Sequence, residues 1–236
     1  MVRVKLTYMA LAFALWGAEA NAYCRQALLL ALDVSSSVDS EEYALQRDGL
    51  AQALLSPGVK AALFTAPGDV ALAVYEWSGR YQQAVVMDWV LLRDEATLRQ
   101  AVARMLRRPR SHNQFPTAIG YALGFGAGLL RDAPRCDRDT LDMSGDGISN
   151  DGFSPALAYG AFEFGDTVVN GLVIGDAPDV LRYYGNEVIR SPGAFVETAR
   201  DYRDYEAAMT RKLIREISVG VIGAAPRTRR SGSGGG

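Results

Sequence analysis

The chain has 236 residues, 49% of them hydrophobic and 22% charged, with a formal net charge of −2. That balance excludes a disordered chain and argues against a basic nucleic-acid binder, and the length is enough to bury a sizeable core. Two cysteines are too few for a disulfide-stapled miniprotein or a cysteine-built zinc module, the single histidine (His112) excludes a multi-histidine metal site, and three lysines leave little room for lysine chemistry.

Residues 1–22 carry the three ordered parts of an export signal. Arg3 and Lys5 are basic, Leu6 to Gly17 is largely apolar, and Ala20-Asn21-Ala22 is a small-residue cleavage site. Cleavage after Ala22 is expected, giving a secreted or periplasmic chain with no later membrane span. In that oxidising compartment Cys24 and Cys136 become disulfide candidates.

The mature chain opens with Ala27–Leu32, an apolar run of the kind buried on both faces of a sheet. A polar turn, Asp33 to Ser40, leads into helical periodicity over Glu41–Leu55, stopped by Ser56-Pro57-Gly58. Asp69–Ser78 and Gln83–Leu92 read as an antiparallel pair joined around Gly79-Arg80. An amphipathic helix over Asp94–Arg108 follows, then a loop Pro109–Pro116 and a helix near Thr117–Leu130. Thr140–Ser144 is a short strand running into Gly145-Asp146-Gly147, and a helix is expected around Ser154–Glu163. Thr167–Ile174 is a strand, Val180–Ile189 a helix, Ala194–Glu197 a strand and Tyr202–Val219 a closing helix. From about Ala224 the tail is low-complexity and expected to be disordered. Strand and helix alternate almost throughout. The expectation is one doubly wound α/β domain over 23–223, a mainly parallel six-stranded sheet with one antiparallel edge strand and helices on both faces.

Ligands of such sheets bind at the carboxyl ends of the strands. Three polar loops fall there, carrying Asp33, Ser35 and Ser37, then Thr117, then Asp146. Two carboxylates and three hydroxyls form an all-oxygen set suited to a hard cation such as Mg²⁺. The alternation in Asp33-x-Ser35-x-Ser37 lets these three side chains turn toward one point. A competing account remains open: Ser37 or Asp39 caps the next helix, and Asp146 only sits in a turn.

These residues resemble the von Willebrand factor A domain with its metal-ion-dependent adhesion site. Asp33, Ser35 and Ser37 match its D-x-S-x-S element, Thr117 its separate threonine and Asp146 its aspartate before glycine. One departure is Ser144-Gly145 ahead of Asp146, where many such domains have a threonine. More narrowly, Leu32–Arg47, Val74–Gly79, Thr117–Leu123, Asp142–Asn150 and Ser191–Val196 are similar to secreted bacterial A-type domains catalogued as a domain of unknown function. The resemblance implies a bound Mg²⁺ (or Mn²⁺/Ca²⁺) whose coordination is completed by Asp or Glu of a protein partner. In this architecture, if the first and fourth strands are parallel neighbours, Cys24 and Cys136 meet at the sheet edge opposite the metal.

Other readings stay in view. A haloacid-dehalogenase-like, Mg²⁺-dependent phosphatase would use Asp33 as nucleophile, with Gly145-Asp146 and Asp151 echoing its metal loop. Yet Ser35 replaces the general acid, and no lysine lies between Lys60 and Lys212. A serine hydrolase is disfavoured by the lone histidine and the missing G-x-S-x-G turn. A structural envelope protein with a vestigial metal site is the third reading. Arg104, Arg107, Arg108 and Arg110 read as cations at a helix C-terminus, His112 as an exposed loop residue, Glu76-Trp77 as a binding-face or core-covering pair, and Tyr183-Tyr184 as packing between helix and sheet.

Overall fold

In the computed structural model, residues 23–222 are described, so the export signal and the tail read from sequence lie outside the described residues. The strands are β1 (Cys24–Asp33), β2 (Asp69–Trp77), β3 (Gln83–Leu92), β4 (Asp139–Gly145), β5 (Val168–Ile174) and β6 (Val196–Ala199). They form one sheet in the order β3-β2-β1-β4-β5-β6, parallel except for β3, which pairs antiparallel with β2 at the edge. The switch in strand order lies at β1, between β2 and β4, and a crevice at the carboxyl ends is expected there.

Burial explains the layers. Leu28, Leu30 and Leu32 point to one face, where α1 (Ser40–Leu55), α2 (Pro57–Phe64), α3 (Glu95–Leu106) and α7 (Tyr205–Ile222) close one core. Ala27, Leu29 and Ala31 point to the other, covered by α4 (Ile119–Arg131), α5 (Pro155–Ala161), α6 (Pro178–Tyr183) and a π-helical turn, Tyr184–Val188. β1 is buried along its whole length, and each leucine contributes about 1.5–3 kcal/mol relative to exposure.

Several boundaries differ from the sequence expectation, β1 starting three residues earlier and α7 three residues later than read. Ser56-Pro57-Gly58 ends α1 but also starts α2: the Ser56 hydroxyl accepts from the Val59 amide and Pro57 occupies the first turn. The single helix expected over Val180–Ile189 divides into α6 and the π-helical turn, and the last strand lies two residues later than read, at Val196–Ala199. At the amino ends of the strands Cys24 and Cys136 form a disulfide with Cα atoms 4.5 Å apart.

Candidate metal centre

Leu32 of β1 lies opposite Ser144 of β4, so the next step of that register sets Asp33 beside Gly145 at the carboxyl edge. Asp33 is completely buried. Its Oδ1 accepts from the Ser35 amide at 2.7 Å, while Oδ2 has no hydrogen-bond partner. From there the hydroxyls form a chain: Ser35 Oγ lies 3.1 Å from Ser37 Oγ, and Ser37 Oγ donates to Asp146 Oδ1 at 3.0 Å. The geometry thereby draws Asp33, Ser35, Ser37 and Asp146 into one cluster.

Helix capping is handled separately. Asp39 accepts from the Glu41 and Glu42 amides, and the Glu42 carboxylate accepts from the Asp39 amide, which closes a capping box on α1. Ser37 is therefore not consumed as the cap.

Thr117 is tied through its backbone to the third loop, not to the cluster itself. Its amide donates to Asn150 Oδ1 at 2.9 Å, and its carbonyl accepts from the Asn150 and Asp151 amides. Two residues earlier, the Phe115 carbonyl accepts from the Ser36 amide at 2.8 Å. The second loop is thus tied to both the first and the third. Arg80 donates from both Nε and Nη2 to Asp151 Oδ1, which fastens the β2–β3 turn to the third loop.

The chief residue missed by the sequence reading is Arg110. α3 ends at Leu106, and Arg110 lies beyond it in the loop. Its Nη2 donates to the carbonyls of Val34, Ser35 and Val38, Nη1 to that of Asp39 and Nε to that of His112. The guanidinium also covers the Tyr43 ring at 5.2 Å. It does not act at a helix terminus; it folds the first loop around its own donors. Nearby, buried Glu76 accepts from the Tyr43 hydroxyl and the Ser111 amide, and Trp77 is fully in the core. His112 is half-buried, not exposed, and stacks edge-on against Phe115. A run of arginines carries no signal for such a role, because the accepting carbonyls lie more than seventy residues earlier.

Electrostatically the two carboxylates of the cluster repel each other. Burial, and then the charge of Asp146, push the Asp33 carboxyl up to about 7, against the opposing pull of the Ser35 hydrogen bonds and Arg110. Among the described residues no group of three His, Cys, Asp or Glu side chains gathers to hold an ion. The candidate set instead offers two carboxylates and three hydroxyls. This composition fits a hard, oxygen-preferring divalent ion, and the orphaned Asp33 Oδ2 is a buried lone-pair donor waiting for a partner.

A family model described as a protein of unknown function (DUF1194) matches residues 23–221. The chain belongs to this family. No curated protein matches the DUF1194 chain. Solved structures resemble it in fold. A von Willebrand factor type A protein from Catenulispora acidiphila is 16% identical with a TM-score of 0.57, over 84% of this chain and 43% of that one. Proximal thread matrix protein 1 from the mussel byssus, in a structure with a zinc-occupied MIDAS motif, is 16% identical with a TM-score of 0.58, over 83% and 46%. The PilB minor pilin from Streptococcus sanguinis is 9% identical with a TM-score of 0.61, over 87% and 64%. In each case the DUF1194 chain spans less than two thirds of the neighbour. The fold is of the von Willebrand factor A type.

Proposed function

We propose that this domain is an exported, metal-dependent protein-binding module of the adhesion type. Asp33, Ser35, Ser37, Thr117 and Asp146 hold a divalent cation, Mg²⁺ or alternatively Mn²⁺ or Ca²⁺, and an Asp or Glu of a protein partner completes the coordination. The observation that carries this reading is the buried, unpartnered Asp33 Oδ2 within an oxygen-only cluster of like charges. A buried polar atom without a partner costs about 1–3 kcal/mol, which a bound cation would recover. Two carboxylates neutralise the ion without excess, so it stays attractive to a third carboxylate from outside. Fold neighbours that include a pilin and a byssal matrix protein support an extracellular setting, as does the disulfide. No described helix is long and apolar enough to cross a membrane.

A phosphatase needs a cation near the phosphoryl group, and the described lysines do not supply one. Lys60 pairs with Glu95, and Lys212 is sealed between Asp142 and Glu216. Calorimetric titration with Mg²⁺ and Mn²⁺ on the wild type and Asp33→Ala tests the metal reading: heats lost in the variant are expected, and equal heats in both proteins would sink it. Mg²⁺-dependent turnover of aryl phosphates, abolished by Asp33→Asn, would instead establish the enzyme.

A further inference from the structure

Tyr184 begins the π-helical turn and is completely buried, yet its hydroxyl has no hydrogen-bond partner. The sheet makes room for it at two points. A Cβ on Gly171 of β5 would lie 2.8 Å from the ring's Cδ1. A Cβ on Gly145 of β4 would lie 2.5 Å from Tyr184 Oη and 3.0 Å from Asp33 Oδ2. Met143 is the register partner of Gly171, and Gly145 lies two residues on, so both glycines face the same side of the sheet. Glycines inside strands weaken a sheet, and a π-helical turn is a rare departure from the α-helix found mostly at functional sites.

What these concessions achieve is specific. The ring lies over bare backbone at Gly171, and its oxygen reaches Gly145 next to Asp33. A single point so close to both oxygens sets them no farther apart than one water spans. Both are buried oxygens that lack partners, one a donor and the other an acceptor.

We propose that Tyr184 is the positioning residue of Asp33: across the Gly145 gap its hydroxyl donates through one water to one lone pair of Asp33 Oδ2, leaving the other for the cation, and holds the carboxylate toward the ion. The inference rests on the metal reading above. Asp33 Oδ1 is anchored by the Ser35 amide, whereas Oδ2 has no anchor to fix the plane of the carboxylate. A second anchor fixes the plane. Hydrogen-bond partners of this kind behind a ligand carboxylate are worth roughly 10–100-fold in metal affinity.

The test is Tyr184→Phe, which keeps the ring over Gly171 and removes only the oxygen. Calorimetry with Mg²⁺ and Mn²⁺ is expected to give roughly 10–100-fold weaker binding than wild type, with the melting temperature close to wild type. Tyr159→Phe is the control, since it deletes a half-buried hydroxyl, one bonded to the Val188 carbonyl on the same face. It is expected to alter the melting temperature and leave metal affinity alone. Wild-type affinity in a folded Tyr184→Phe protein overturns the proposal, as does equal weakening in both variants. A crystal structure of the metal-free wild type gives a readout independent of binding: Oη linked to Asp33 Oδ2 through one shared water is expected, and Oη bonded to another group overturns it. If the wild type takes up neither ion, the metal reading falls and the positioning role falls with it. A failure confined to Tyr184 leaves that reading intact.

Discussion

The two ends of the β-sheet are built on opposite principles. At the amino ends, cationic side chains and a covalent bond close the structure. Arg25 donates to the carbonyls of Gly68, Ala62, Leu63 and Ile217, Arg138 reaches Gln26 and the Glu216 carbonyl, and Cys24–Cys136 ties β1 to the segment before β4. At the carboxyl ends, two aspartates approach each other, and Asp33 Oδ2 and the hydroxyls of Ser78 and Tyr184 are buried without partners. One end contributes stability; the other forgoes it. Unsatisfied oxygens gathered at the strand ends where ligands of this architecture bind mark a site that something else completes.

Three perturbations separate these ends. Replacing both cysteines by serine frees the loop they close and is expected to cost about 4–5 kcal/mol, read by urea denaturation, with metal affinity unchanged. Coupled loss of metal binding would show that the ends are not independent. Lys212→Met is next. Lys212 Nζ lies 2.9 Å from Asp142 Oδ1 and contacts Glu216, all three groups being buried between α7 and the sheet. Burial draws the lysine down, but the two carboxylates outweigh it and hold the ammonium above its usual range. Its loss leaves two uncompensated buried carboxylates, at about 3–5 kcal/mol, whereas a variant neutralising all three groups is expected to recover much of that. Arg110→Met acts at the other end. Without its contacts to five carbonyls the first loop loses its shape, and Mg²⁺ affinity is expected to fall by about tenfold or more while denaturation shifts less than for Lys212→Met.

Much of the fold was legible because its signals are local. The unbroken apolar run of β1, the alternation of strand and helix, and the antiparallel β2–β3 pair each follow from a few neighbouring residues. The spacing Asp33-x-Ser35-x-Ser37 is just as local, but strand alternation does not set its directions, because β1 ends at Asp33 and Ser35 to Val38 form a hydrogen-bonded turn. What stayed hidden depends on distant partners or on signals that read two ways. Ser56-Pro57-Gly58 carries stop and start signals at once, because proline ends one helix and suits the first turn of the next. Arg110 and Arg107 look alike in sequence, yet only Arg110 meets the turned-in carbonyls of the first loop. Tyr184 read as packing, which it does. Its hydroxyl gains meaning only once Gly145 and Gly171 are seen to clear its path.

The pH dependence of stability probes the carboxyl end most directly. Asp33 is pushed up to about 7 by burial and by Asp146, whereas an unfolded aspartate titrates near about 3.9. Because the folded value is the higher one, the folded, metal-free protein binds the extra proton between these limits. The stability linked to that proton is complete below about pH 4 and is lost as pH rises through about 7, by up to about 1.4 kcal/mol per unit. A cation reverses the trend. It requires the ionised carboxylate, so a proton competes with it and Mg²⁺ affinity should rise about tenfold per unit between about pH 5 and 7, then level off. Thermal melts at about pH 5, 6 and 7 with and without Mg²⁺ should therefore diverge, the metal-induced gain widening with pH. In Asp33→Asn the two curves should run parallel, and parallel curves in the wild type would mean that Asp33 does not meet the ion.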